Sequence, residues 1–240
     1  MNLLIMAKLR HFFHTFVMIN NIPNSQPVLL FMDELLKYFP DLTSLQTDRF
    51  CALEDLYRTW NNRINVISRR DIDNLYVHHV LHSMAIARFL GPLADNTTVL
   101  DMGTGGGFPG IPLAIYYPEV RFHLIDRIGK KIRVCNEVIQ ALGLRNVTTQ
   151  HGDIGENHTR YDYVVSRAVM RLEALWPLVR RNISTDSRNR IPNGLICLKG
   201  GDGLDEEIAR TKAPVQDFPL AELIPHPFFE TKSLLYVPVR

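Results

Sequence analysis

The chain has 240 residues, 46% of them hydrophobic, with a formal net charge of +2 and a pI near 8.4. That much apolar side chain is enough for one buried core with an appendage, which excludes a disordered chain. The near-neutral charge excludes general attraction to polyanions, so a nucleic acid has to be held by a local basic patch. Three scattered cysteines, Cys51, Cys135 and Cys197, form no CxxC pair and read as buried apolar residues of a reducing cytoplasm rather than as a secreted scaffold.

In chain order, residues 1–31 open on "MNLLIMAKLRHFFHTFVMIN", which Lys8, Arg10, His11 and His14 interrupt. No apolar run of membrane-spanning length results, and no small-residue cleavage site follows. The segment reads as a loosely attached extension, with an upstream start codon as one origin, and Pro23, Asn24, Ser25 and Pro27 read as a linker. Helical spacing begins at Met32, stops at Pro40, and resumes after a capping box formed by Thr43 and Gln46. Phe50, Leu53, Leu56, Tyr57 and Trp60 share one face of the segment 45–62, and another helix is expected over 75–90. Residues 32–95 therefore read as a helical cap and 96–240 as the main domain, with cap and sheet expected to form one structural unit.

After Asn96 the period changes. "TVLDM", "RFHLID", "NVTTQ", "YDYVVS" and "GLICLKG" read as buried strands, with helices expected from Pro109, from Gly129 to Leu142, and over "LEALWPLVRRN". Strands alternating with helices imply an α/β fold with a parallel, doubly wound sheet. The tail "AELIPHPFFETKSLLYVPVR" is expected to close the sheet with a pair of strands.

The stretch "LDMGTGGGFPG" (100–110) puts five glycines in the first strand-to-helix loop, where doubly wound sheets bind ligands. A P-loop needs GK[ST], but Ile111 and Pro112 follow Gly110. Gly105, Gly107 and Gly110 fit GxGxxG, and Asp126 lies where a ribose anchor of NAD belongs. Asp101, however, would set a carboxylate beside a pyrophosphate. S-adenosylmethionine meets the objection, since it is cationic, carries no phosphate and keeps the ribose. On this reading Asp101 favours its ammonium end, Gly103 and Gly105 lie against the methionine portion, and Asp126 accepts the ribose hydroxyls.

The chain resembles the bacterial 16S ribosomal RNA guanine-N7 methyltransferase family, also called the glucose-inhibited division protein B family. The resemblance rests on "WNNRINVIS", "HHVLHS", "DMGTGGGFPGIPLAI", "LIDRIGKKIRV", "VVSRA" and "LKGG", and covers the chain from about Met32 onward. It implies a Rossmann-like class I S-adenosylmethionine-dependent methyltransferase sheet with a helical N-terminal cap. It also implies cofactor contacts at Gly103, Phe108, Ile154, Gly155 and Arg167. Two places depart from the family. Relatives commonly carry Arg, a small apolar residue and Glu where this chain has Asp153, Ile154, Gly155 and Glu156, with Asp153 or Glu156 as the candidate substitute. His82 replaces the acid of the family's "HILDS", while His79 is retained.

Methyl transfer to guanine N7 needs alignment rather than a strong base, because that lone pair carries no proton. The sequence has no NPPY-type loop and no Pro-Cys nucleophile. At strand four stands Ser166-Arg167-Ala168, whose arginine is the candidate catalytic residue, able to donate to guanine O6 or a phosphate, or to position the cofactor. The RNA is expected to meet Arg69, Arg70, Lys130, Lys131, Arg133, Arg171 and Lys199, with Arg180 to Arg190 as a mobile basic loop. His78 and His82, four apart, lack a carboxylate or cysteine spaced to complete a metal site, so no metal is expected. The implied substrate is 16S ribosomal RNA or the small subunit, and the implied state is a cytoplasmic monomer. The rival readings are an NAD-dependent oxidoreductase and a non-catalytic RNA- or nucleotide-binding module.

Overall fold

The computed structural model describes residues 25–239, and the expected extension up to residue 24 lies outside the described residues. The chain forms two compact units that divide between Ala52 and Leu53. In the first unit, helix α1 (Ser25–Tyr38) begins within the expected linker. A proline in a first helical turn costs no hydrogen bond, because the amides there have no partner within the helix. The capping box forms as expected at the start of α2 (Ser44–Asn61): the Thr43 amide donates to Gln46 Oε1 at 2.9 Å, and the Gln46 amide to Thr43 Oγ1 at 3.2 Å. Met32, Leu35, Phe39 and Leu42 are buried in this unit.

The second unit starts inside α2 and takes in residues 53–95 together with the sheet, so the third helical segment of the expected cap belongs to the sheet's own unit. That segment is a wide, π-helical turn over Leu75–Leu81 that runs straight into α3 (His82–Leu90). Seven strands follow, interleaved with helices: β1 (Thr98–Met102), α4 (Gly110–Tyr116), β2 (Arg121–Asp126), α5 (Gly129–Ala141), β3 (Val147–His151), β4 (Tyr163–Arg167), α6 (Leu172–Val179), β5 (Gly194–Gly200), α7 (Leu204–Arg210), β6 (Gln216–Pro219), α8 (Leu220–Leu223) and β7 (Lys232–Pro238). The sheet order is β3-β2-β1-β4-β5-β7-β6; β1 to β5 are parallel, and β7 runs antiparallel to both its neighbours. The order reverses between β1 and β4, which opens a crevice at the carboxyl ends of those strands.

Strand alternation assigns the two faces. Leu100, Val164, Leu195 and Leu235 join Leu172, Leu175 and Val179 of α6 in one apolar cluster, with Leu204 and Ile208 of α7 packed on it. The opposite face carries Tyr236, whose ring packs on Phe89 of α3, and Leu124, which stands against Gly110 of α4.

Two expectations change. Of the strand pair awaited in the tail, only β7 lies there; its partner β6 precedes the tail, and its short "QDFP" has no alternation to mark it. The basic segment 180–190 is pinned rather than mobile. Arg188 donates to the Asn96 carbonyl, Asn189 accepts from the Ala94 amide, and Asn193 donates to the Ser184 and Asp186 carbonyls. These bonds sit beside Asp162, which accepts from the amide and hydroxyl of Thr98 at the start of β1. The segment therefore closes the amino end of the sheet, away from the crevice.

Candidate active site

A cleft of about 490 Å³ lies over the carboxyl ends of β1, β2 and β4. The glycine loop forms one wall, from Gly103 to Gly106; Asp126, Ile128 and Lys131 form the second, and Ile154 with Arg167 to Met170 the third. Gly105 has φ +59, and nothing lies within 4 Å of the place a Cβ would occupy, so the loop offers bare backbone beside open space. Asp126 holds this edge: Oδ2 accepts from the Gly105 amide and Oδ1 from the Ile128 amide, both at 2.8 Å. A carboxylate has about four acceptor positions, so capacity for two hydroxyls remains. The carboxylate, bare backbone and apolar Ile128 and Ile154 fit the ribose, methionine portion and adenine of S-adenosylmethionine.

Asp101 stands elsewhere than expected. It is fully buried beneath the loop and does not line the cleft; Oδ2 accepts from Thr104 Oγ1 at 2.5 Å and from the Gly110 amide at 2.8 Å. Alternation turns it toward α4, where it braces the loop instead of facing a ligand. Its Oδ1 has no partner among the described residues, and burial pushes the carboxyl up to about 7, against the bonds from Thr104 and Gly110 and the charge of Arg167. Gly110 is needed for this contact, since a Cβ there would stand 2.7 Å from Asp101 Oδ2.

Arg167 reaches across from β4. Its guanidinium lies over the Phe108 ring at 5.2 Å, Nη1 donates to the His78 carbonyl at 3.2 Å, and Nη2 meets His79 Nδ1 at 2.9 Å. His79 Nε2 in turn meets Asp71 Oδ2 at 2.8 Å, and His78 Nδ1 meets Asp71 Oδ1 at 2.6 Å. An arginine only donates, so His79 Nδ1 accepts and its hydrogen sits on Nε2, directed at Asp71. Burial, helped by the Arg167 charge, holds His79 down at about 4, so it is neutral at pH 7. Burial raises the Asp71 carboxyl, but the bonds from His78 and His79 outweigh it and keep the carboxyl below the ordinary range. Burial brings Arg167 down to about 10, against the pull of Asp101, Tyr57 and Asp71, which leaves a charged guanidinium fixed at the cleft wall.

The comparisons with known proteins bear on this cleft. The family model for the rRNA small subunit methyltransferase G matches residues 46–216, a span that contains every cleft residue named above. The chain belongs to this family. The Ribosomal RNA small subunit methyltransferase G of Bacteroides thetaiotaomicron is 54% identical over 205 residues, 85% of this chain and 98% of the relative. That of Bacteroides fragilis is 53% identical over 208 residues, 87% of this chain and 100% of the relative. Among solved structures, an MtNAS variant in complex with S-adenosylmethionine matches with TM-score 0.50 and 12% identity over 83% of this chain and 78% of that one. That last likeness shows the fold alone.

Against this methyltransferase G framework, the remaining expected site residues separate. Phe108 is buried, yet its ring lines the cleft and packs on Tyr57 at 4.8 Å. Ile154 lines the cleft, while Asp153 and Gly155 do not; Asp153 pairs with Arg127 at 2.5 Å, and its side chain caps the Gly155 amide. Of the basic residues, Lys131 reaches the cleft, while Lys130 and Arg133 are exposed on the start of α5, and Arg69 and Arg70 on the turn before residue 72. Arg171 pairs with Glu173. Lys199 is spent within the fold: it is only 10% exposed, pairs with Glu207 at 2.6 Å and donates to the Met170 carbonyl.

Sequence reasoning missed several contributors. Asp71 does partner His78, though His82 stands apart, packed edge-on to Phe228 with its Nε2 unpartnered among the described residues. Tyr57, assigned to core packing, also donates to the Gly106 carbonyl at 2.7 Å and so holds the loop. Val169 and Met170 follow the recognised Ser166-Arg167-Ala168 and enter the cleft because Ala168, at φ 51, turns the chain back. Only their adjacency to that motif could have flagged them.

Proposed function

We propose that the chain is an S-adenosylmethionine-dependent methyltransferase that modifies guanine N7 in 16S ribosomal RNA, as a cytoplasmic monomer with no membrane attachment. The observation that carries the reading is the convergence, inside the family-matched span, of a bare glycine loop, Asp126 and an anchored Arg167 on one cleft. Asp126 accepts the ribose hydroxyls while it keeps the loop amides in place, and the Gly103–Gly106 backbone lies along the methionine portion. S-adenosylmethionine, when bound, supplies the electrophilic methyl group. Arg167 donates to guanine O6 or a flanking phosphate, held in direction by the neutral His79 and the Phe108 ring. Lys131 adds a cation at the rim.

Guanine N7 has no proton to lose, and the titratable groups near the cleft suit that. His79 and Asp71 are spent on each other and on Arg167, and Asp101 on the loop. Orientation and a fixed positive charge are what the side chains contribute. Membership in a methyltransferase family leaves the oxidoreductase and non-catalytic readings unsupported.

Calorimetric titration with S-adenosylmethionine and with NAD tests the cofactor: tight binding of NAD alone overturns the reading. Primer extension after N7-specific cleavage of 16S RNA tests the target. In a strain lacking this chain, one guanine should lose its cleavage; an unchanged pattern at every guanine refutes the assignment.

A further inference from the structure

A second cavity, of about 520 Å³, opens at the other end of the sheet. Trp176 of α6, Arg180, Arg181, Lys212, Pro214 and Pro238 line it. Its place follows from register. Pro238 pairs with Gly194, the first residue of β5, whereas Arg167 pairs with Leu198, four residues on and roughly 13 Å away at about 3.3 Å per residue. The cavity is thus a separate surface from the cofactor cleft.

Its chemistry is lopsided. Three cations line one hollow, and among the described residues no carboxylate lines it. Arg181 spends one bond on the Gly155 carbonyl, and the side chains of Arg180 and Lys212 have no ion-pair or hydrogen-bond partner among the described residues. Unpaired like charges repel, and an anion set between them relieves the repulsion. Trp176 is half-buried, so its ring is fixed while part of it remains in reach of a ligand. Cations that hold phosphates around a fixed aromatic face are the means by which single-stranded nucleic acid is bound without base-edge reading. A duplex keeps its bases stacked on one another and cannot offer one to the indole.

We propose that this cavity binds a single-stranded segment of the substrate RNA away from the target guanine, with a base on Trp176 and phosphates on Arg180 and Lys212. The inference rests on the reading that the substrate is RNA. A free nucleotide shares the chemistry, and the test separates the two sources.

In the full chain, Trp60→Phe leaves Trp176 as the sole tryptophan. An oligoadenylate of about ten nucleotides should quench its fluorescence saturably, and AMP should bind at least about tenfold more weakly, because it engages one phosphate. Arg180→Glu with Lys212→Glu should weaken the oligomer about tenfold or more. It should also flatten the logarithmic salt dependence by roughly 1.4, two phosphates at about 0.7 each. With small subunits as substrate, the same pair of changes should raise KM and spare kcat, and S-adenosylmethionine affinity should stay unchanged as a check on folding. Three results overturn the proposal: no quenching by either ligand, AMP binding as tightly as the oligomer, or wild-type RNA affinity and salt slope in the charge-reversed chain. If these occur while S-adenosylmethionine binds and guanine N7 is methylated, the catalytic reading stands and only this site falls. If the oligomer quenches and S-adenosylmethionine does not bind, this site stands and the catalytic reading falls.

Discussion

Asp126 lines the cleft while His79 stands behind Arg167, and the two do different work. Asp126 holds the Gly105 and Ile128 amides and faces the proposed ribose position, so Asp126→Ala removes charge-assisted bonds and loosens the loop together. The expected loss is on the order of 1.5–3 kcal/mol, about tenfold to a hundredfold in S-adenosylmethionine Kd by calorimetry. His79 does not line the cleft; it orients Arg167 and links it to Asp71. His79→Ala should leave cofactor affinity within about twofold and slow methyl transfer roughly tenfold or more, a split visible in single-turnover assays. A folded His79→Ala chain with full activity removes both Asp71 and His79 from the site. Asp126, the glycine loop and Arg167 were legible in sequence because each follows a strand end. The Asp71–His79–Arg167 chain was not, since its last link joins residues 88 apart.

At the scale of elements, the seating of α4 on the end of β1 decides whether the loop keeps its shape. The amide of Gly110 bonds Asp101, and a Cβ there would meet Asp101 Oδ2 at 2.7 Å and Leu124 Cδ1 at 2.9 Å. Both atoms are in buried side chains with little room to move. Gly110→Ala should therefore cost on the order of 1–3 kcal/mol, a fall in Tm of roughly 3–10 °C for a chain of this size, by calorimetry. A Tm within about a degree of wild type would show that α4 can shift freely. Placing Asp101 before a glycine loop suggested a ligand contact, whereas strand alternation turns its side chain to the helix layer, where Gly110 and Thr104 meet it. Lys199 is a similar case. A lysine at a strand end looks free in sequence, but α7 brings Glu207 to it.

For the whole molecule, a buried carboxyl and a largely covered imidazole oppose each other across pH. Asp101 titrates at about 7 in the folded chain, above its ordinary 3.8, so it contributes stability that is present at low pH and lost as pH rises through 7. His79 stands at about 4, below its ordinary 6.5, so the unfolded chain takes the proton first and stability falls as pH drops from 6.5 toward 4. Urea unfolding at about pH 5 and pH 8 should separate them. Relative to wild type, Asp101→Asn should gain between the lower and the higher pH, and His79→Gln should lose; equal shifts at both pH values would show that neither group is perturbed by folding. The sequence by itself determined the strand and helix succession, the parallel sheet, the glycine loop with Asp126, and the motifs that place the chain in its family, because periodicity and short motifs act locally. Only the tertiary structure decided which strand face Asp101 takes, that Asp71 and His79 anchor Arg167, that segment 180–190 is tied to the amino end of the sheet, and that a basic cavity forms around Trp176. Each of those depends on pairings between residues far apart in the chain, which no local pattern encodes.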